Sequence, residues 1–309
     1  TATHRIPVRI TLNADNRIEG LLFKPAQQLT ASIDETLDLL AVVPGTVSYM
    51  ISRGGDQVHA RDADSKQAVG SAFKLAVLKV LADDIDAGRH AWDEVLRLKE
   101  GDRSLPSGSL QTFPAGSPFT LHTLAAAMIA ESDNTATDML IGLLGRDRIA
   151  EALGTATVLT TREFFTLKSD PGLSQRYADA DPADRQAILA EIADRSLPPP
   201  AQASGPYRED VEWHVSNRKL CELASAVRHV DVFEINPGPV ETANWRATAY
   251  KGGSESGVLN LTAALESKDG TPYCVSVTVN SDHPVDTVEV TGLFSRLTAQ
   301  LGDGGGEAD

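Results

Sequence analysis

Several things are missing from this 309-residue sequence, and each absence removes a class of function. No run of about 18 apolar residues occurs, and no basic segment with an apolar stretch behind it opens the chain. Neither a membrane span nor a leader is therefore expected within it. Basic residues are scarce: 28 Lys and Arg stand against 43 Asp and Glu, a net charge of −15. Such a surface repels phosphate backbones and anionic lipid, so no nucleic acid and no membrane is expected as a partner. Cysteine is nearly absent, with Cys221 and Cys274 in neither a CxxC nor a zinc-like spacing. Both read as separate small core residues, one in the helical stretch "RKLCELASAV" and one in the apolar strand "YCVSVTV". The histidines are scattered and no HExxH occurs, so no metal site is expected, and nothing asks for another cofactor. There is no GxSxG either, which leaves a Ser-His-Asp hydrolase unsupported. The expectation is a soluble cytoplasmic chain, or a secreted or periplasmic one if a leader has been removed; oligomeric state is not legible.

What is present is an ordinary globular pattern. Residues 6–12 and 17–23 read as two strands joined by "NADN", a hairpin that is marginal alone and must pack on the rest of the chain or belong to a preceding domain. Apolar residues at helical spacing come next over 29–42, then strand, Gly-Gly turn and strand in "GTVSYMISRGGDQVHARD". "SAFKLAVLKVLADDIDAG" is a strong helix stopped by Gly88. "TLHTLAAAMIAES" and "TATDMLIGLLG" are apolar nearly all round, hence buried helices on either side of "SDN". The signal weakens over 155–205, where an Ala/Asp-rich helix near 181–194 precedes the loop "LPPPAQASG". A helix over about 208–228, a three-strand meander and a closing helix complete the chain before a tail, "GDGGGEAD". Strands at both ends around a helical middle predict one α/β (α+β) sandwich whose antiparallel sheet is assembled from both termini.

Three short stretches carry chemistry. In "SAFK", Ser71 opens a helix and Lys74 lies one turn on, on the same face. An amine there can take the serine's proton, and the helix N-terminus favours a developing oxyanion. Alone the spacing is weak, because "SNRK" (Ser216 to Lys219) repeats it on what reads as an exposed helix face. The second stretch is "SDN", Ser132 to Asn134, whose polar groups between apolar helices need partners or a purpose. The third is "KGGS", Lys251 to Ser254, where two glycines let a strand approach a ligand closely.

In this order the three stretches resemble the motif set of class A β-lactamases and penicillin-binding proteins. The resemblance runs from about residue 29 to 301 and includes the helix-SDN-helix pattern and the lysine strand with its hairpin. It implies a β-lactamase-like fold and a small-molecule substrate, a β-lactam or an ester. It also implies roles by position: Ser71 as acylated nucleophile, Lys74 as its base, Ser132 as proton donor to the leaving group and Lys251 as the charge that polarises Ser132 and keeps Lys74 neutral. Asn134, Gly253 and Ser254 would bind substrate, and the backbone N–H groups of Ser71 and Ser254 would form the oxyanion hole. One departure is Gly252, where the family usually places a Thr or Ser whose hydroxyl helps bind a carboxylate. Another is the long stretch between Ser71 and Lys251, whose excess falls over 170–207 and reads as a lid.

"REFFTLK" aligns with the loop that carries the family's deacylating glutamate, but places Phe164 at that position and Lys168 at the water-holding asparagine. Glu163, one residue out of register, reads as a charge on a loop. A phenyl ring can neither take a proton nor order a water, so an acyl-enzyme with a slow exit is expected. The closer resemblance is to the β-lactamase-fold cephalosporin esterase of clavulanic acid biosynthesis clusters. It implies a 3′-O-acetyl cephalosporin esterase with weak or no β-lactamase activity. It also implies that 1–25 is a hairpin, the end of an N-terminal steroid-isomerase- or cyclase-like domain, that 26–301 is catalytic and that 302–309 is a disordered tail. Two other readings stand beside it: a penicillin-sensing or DD-peptidase module, and a scaffold that binds a β-lactam without turning it over.

Overall fold

Strands Val8–Leu12 (β1) and Ile18–Phe23 (β2) form an early hairpin in a computed structural model that describes residues 4–6, 8–23, 27–28, 32–203 and 208–303. Pairing of Val8 with Phe23, Ile10 with Leu21 and Leu12 with Ile18 gathers six apolar side chains. All six are 43–63% exposed, so these side chains are not buried in the core of the described chain. Membership of a separate domain stays a proposal.

The remaining residues are layered around a five-stranded antiparallel sheet. Helix Ile33–Ala41 (α1) starts with a capping box between Ser32 and Glu35. Strands Thr46–Arg53 (β3) and Asp56–Arg61 (β4) come from the early chain, and Ala247–Glu255 (β5), Val258–Glu266 (β6) and Pro272–Asn280 (β7) from the late chain. The order β5-β6-β7-β3-β4 joins the two ends, as the sequence predicts. Strand alternation decides the layers. Val275, Val277 and Val279 of β7 face a core shared with Leu37 and Leu40 of α1. Phe294 and Leu297 of the closing helix Thr287–Gly302 belong to the same core. On the opposite face Ser276 and Thr278 donate to Asn217 Oδ1 at 2.6 and 2.9 Å, and Asn217 Nδ2 donates to Ser48 Oγ at 2.7 Å. Buried polar groups are thus paired where the sheet meets the helical half.

That half holds Lys74–Asp86 (α2), Leu121–Ala130 (α3), Asn134–Leu144 (α4), Arg146–Leu153 (α5), Thr161–Lys168 (α6), Pro171–Asp179 (α7) and Pro182–Ile192 (α8). Helix α2 runs through its centre, and Gly88 stops it with a φ of 68°. Leu173 and Tyr177 of α7 and Ile188 and Ile192 of α8 belong to this core. The excess stretch is therefore packed into the body rather than hinged as a free lid.

Three expectations need correction. Cys221 and Cys274 are buried, as expected, but they form a disulfide. Helix Asn217–Val227 (α9) lies across the sheet and brings their Cα atoms to 5.6 Å, which a separation of 53 residues does not reveal. The helix expected over 208–228 begins at Asn217, because Ser216 caps it by accepting from Lys219 N. "REFFTLK" is helical rather than a loop: Thr160 and Glu163 form a capping box that starts α6. Of the expected tail, Gly302 ends the last helix, and 304–309 lie outside the described residues.

Candidate active site

Three backbone features bring the predicted residues together. Ser71 sits in a 3-10 turn, Gly70–Phe73, that runs straight into α2. The edge strand β5 lies against this turn. A Cβ on Gly253 would stand 2.2 Å from Val69 O and 2.4 Å from Ser71 N, so only glycine allows the approach. A Cβ on Gly70, itself at φ 49°, would meet Ser254 N at 3.3 Å. The amides of Ser71 and Ser254 thus border one another. The third feature is Ser132, whose φ of 57° is unusual for a side-chain-bearing residue and marks a strained link between α3 and α4. Asp133 holds that link by accepting from Ala136 N (2.8 Å), Ser109 N (2.7 Å) and Leu110 N (2.8 Å).

The side chains converge on Ser132. Lys74 Nζ donates to Ser132 O at 2.6 Å, to Asn134 Oδ1 at 2.6 Å and to Ser132 Oγ at 3.2 Å. Lys251 Nζ donates to the same Oγ at 3.0 Å and to Gly252 O at 2.7 Å. Asn134 Nδ2 donates to Leu105 O at 2.9 Å, so both ends of its amide are engaged within the protein. Ser71 Oγ makes no hydrogen bond among the described residues. Catalytic hydrogen bonds often tighten only when substrate is bound.

Burial sets the charges. Lys74 is fully buried, and desolvation, followed by the nearby Lys251, holds its pKa well below the ordinary lysine value. Burial also lowers Lys251, to about 7. Two ammonium groups reaching for one hydroxyl resist being charged together.

These groups border a cavity of about 700 Å³ that includes Ser71, Ser132, Asn134 and the whole Lys251–Ser256 run. Phe164 lines it too, with only 2% of its surface exposed. Its ring packs 4.4 Å from that of Trp213, which in turn stacks 4.2 Å from Phe73. Glu163 is not part of the lining; its carboxylate takes both Arg146 guanidinium nitrogens at 2.8 Å and closes the capping box on Thr160 N. Lys168 is buried, donating to Glu212 Oε1 at 3.3 Å and to Glu255 Oε2. Burial, then Glu255, pushes the Glu212 pKa well up.

Sequence reasoning did not reach Trp213, Tyr250 or Glu255, all of which line the cavity. Tyr250 and Glu255 flank the "KGGS" run, a signal that was available. Trp213 had none, because it reaches the site only through its stack with Phe73 and Phe164.

Residues 28–204 match the model of the Beta-lactamase enzyme family. A β-lactamase of Rhodobacter capsulatus is 24% identical over 288 residues, covering 91% of this chain and 89% of that protein. Among solved structures, a β-lactamase from Sphaerobacter thermophilus superposes with a TM-score of 0.63 at 19% identity, covering 88% of this chain and 97% of its own. A mutant of PBP-A, solved as an acyl-enzyme complex with penicillin G, gives 0.60 at 17%, covering 89% and 97%. At these identities the structural likeness concerns the fold alone.

Proposed function

This chain belongs to the Beta-lactamase enzyme family, and within it we propose a serine acyl hydrolase that works through an acyl-enzyme on Ser71. The observation that carries the reading is the convergence of Lys74 and Lys251 on Ser132 Oγ, at 3.2 and 3.0 Å, beside Ser71. Lys74, kept neutral by burial, takes the proton from Ser71 Oγ as that oxygen attacks the carbonyl carbon. The Ser71 and Ser254 amides receive the oxyanion. Collapse breaks the bond to the leaving group, which takes its proton from Ser132 Oγ; Ser132 is reprotonated from the lysine pair. Substrate contacts fall to Asn134, Gly253 and Ser254.

The second half-reaction sets the substrate preference. A phenyl ring lines the cavity where a water-activating carboxylate is expected, and Glu163 is tied to Arg146. An ester loses its alcohol on acylation and leaves a small acyl group open to water, whereas an opened β-lactam stays over its carbonyl. We therefore assign esterase turnover ahead of β-lactam hydrolysis, with a 3′-O-acetyl cephalosporin as the substrate-level reading and β-lactam biosynthesis as its setting. The test measures acetate release and ring opening in one sample of such a cephalosporin. Acetate ahead of ring opening supports the reading; ring opening ahead of acetate removes it.

One observation favours a second reading, a penicillin-sensing or DD-peptidase-type module. The Cys221–Cys274 bond is of a kind that forms and persists in oxidising compartments, where such modules work. Turnover of a D-Ala-D-Ala peptide without acetate release would select it. A non-catalytic scaffold is disfavoured because it needs none of the four converging groups.

A further inference from the structure

Part of the cavity lining is made of rings. Phe164 and Phe165 come from α6, and Trp213 comes from the segment that leads into α9. Phe164 is held by two neighbours. The Trp213 ring lies 4.4 Å from it with a tilt of 33°, and the Lys168 ammonium lies 5.2 Å from its centroid. Phe165 meets Phe164 nearly edge to face, at 5.2 Å and 68°, and is itself only half-buried. Trp213 Nε1 donates to Leu159 O at 3.1 Å. The one polar atom of that side chain is therefore spent inside the protein, and only ring surface is left for the cavity.

Leu105, Ile129 and Ala203 add further apolar lining. Ala203 ends the short helix Pro200–Ala203, so the long stretch between Ser71 and Lys251 reaches the cavity as well. None of these side chains has a group to offer to acyl transfer. The cavity, about 700 Å³, is of a size that holds a drug-sized ligand. An acetyl group would occupy little of it. Water against such a lining gains few hydrogen bonds, and apolar surface displaces it favourably. Aromatic pairs set edge to face or offset gain beyond the area they bury. A half-buried ring beside a fixed ring therefore suits an aryl group better than an aliphatic one.

We propose that this lining is a subsite for an aryl group carried by the substrate, and that Phe165 is the residue that selects it. The inference rests on the acyl-hydrolase reading and deepens it, since it names what the substrate carries besides its ester. A phenyl ring takes no part in the bond changes, so its effect falls on binding.

The experiment compares three 3′-O-acetyl cephalosporins that differ only in the 7-amide, which is acetyl, phenylacetyl or cyclohexylacetyl. Acetate release is followed across substrate concentration, and acetylation of Ser71 is followed by intact mass. The phenylacetyl compound should exceed the acetyl one at least about tenfold in kcat/KM, mainly through KM, the scale of seating one apolar group in a pocket. It should exceed the cyclohexylacetyl compound about 2–10-fold, the added worth of a ring pair. Phe165→Ala should remove most of the first preference by raising KM for the phenylacetyl compound. Phe165→Leu keeps apolar bulk on the core and should lose the preference for phenyl over cyclohexyl. Denaturant titration of each variant confirms its fold, and Phe165→Leu carries the test if Phe165→Ala does not fold. Equal turnover of the acetyl and phenylacetyl compounds, equal turnover of the two ring compounds, or a phenyl preference intact in a folded variant overturns the inference while the hydrolase reading survives. If none of the three releases acetate or acetylates Ser71, the hydrolase reading falls and this inference falls with it.

Discussion

The chain contains the Ser-x-x-Lys spacing twice, and the two copies have become different things. Ser71 stands in a tight turn at the start of a buried helix, and Lys74 is wholly enclosed with three oxygens around its Nζ. Ser216 is an N-cap whose hydroxyl accepts from Lys219 N, and Lys219 reaches out to Glu222 at 2.5 Å on a side chain 37% exposed. Spacing puts a serine and a lysine on one helix face in both places. At Ser71 burial lowers the lysine's pKa, and a second lysine arrives from a strand far along the chain. The reactivity proposed for Ser71 rests on the surroundings of the motif.

That contrast can be broken at several points, and the largest effect belongs to the nucleophile itself. Ser71→Ala should abolish acetate release and acylation outright. Ser216→Ala should leave both intact and lower stability by about 1 kcal/mol, the usual effect of losing a helix cap, read by denaturant titration. Next in size is Phe164→Glu. A carboxylate facing the cavity should shorten the lifetime of a penicilloyl adduct by about 10²-fold or more, the low end of general base catalysis. Losing the ring from the stack with Trp213 should lower stability by about 3–5 kcal/mol. An adduct lifetime unchanged in a folded Phe164→Glu would show that position 164 does not face the acyl carbonyl.

Cutting the disulfide should act on stability alone. With the cysteines 53 positions apart, the chain-entropy estimate is about 4 kcal/mol. Cys221→Ala should approach that loss in denaturant titration while leaving the acylation rate in place. The subtlest effect is electrostatic. Burial first and Lys251 second hold Lys74 low. Removing the second charge in Lys251→Ala raises the Lys74 pKa. The acid limb of acylation, lost as Lys74 becomes protonated, should then move to higher pH, and the reaction should slow because Ser132 loses a donor. Lys251 itself titrates at about 7, so the shift should be clearest at and below that pH. An unmoved acid limb would separate the two lysines.

Much of this was legible because it is local. The buried helices around "SDN", the strand pairs and the glycines of "KGGS" come from periodicity and turn chemistry within a few residues. The three motifs name Ser71, Ser132 and Lys251, which line one cavity, and Lys74, whose Nζ lies 3.2 Å from Ser132 Oγ. What stayed hidden needs the third dimension. Cys221 and Cys274 meet only after α9 crosses the sheet. Trp213 joins the site through stacked rings from two other segments. "REFFTLK" looked like a loop because its capping box begins one residue before Thr161, outside the motif being read. Tyr250 was visible beside Lys251, but its place over Gly252 depends on Gly238, which arrives from a different segment.

The most direct measurement is a peptide map of the intact protein after exposure to a labelled penicillin. The expected result is a single retained adduct on the peptide that carries Ser71, absent in Ser71→Ala and unaffected by Ser216→Ala. An adduct on the Ser216 peptide, or one that survives Ser71→Ala, would contradict the claim that the buried lysine pair makes Ser71 the nucleophile.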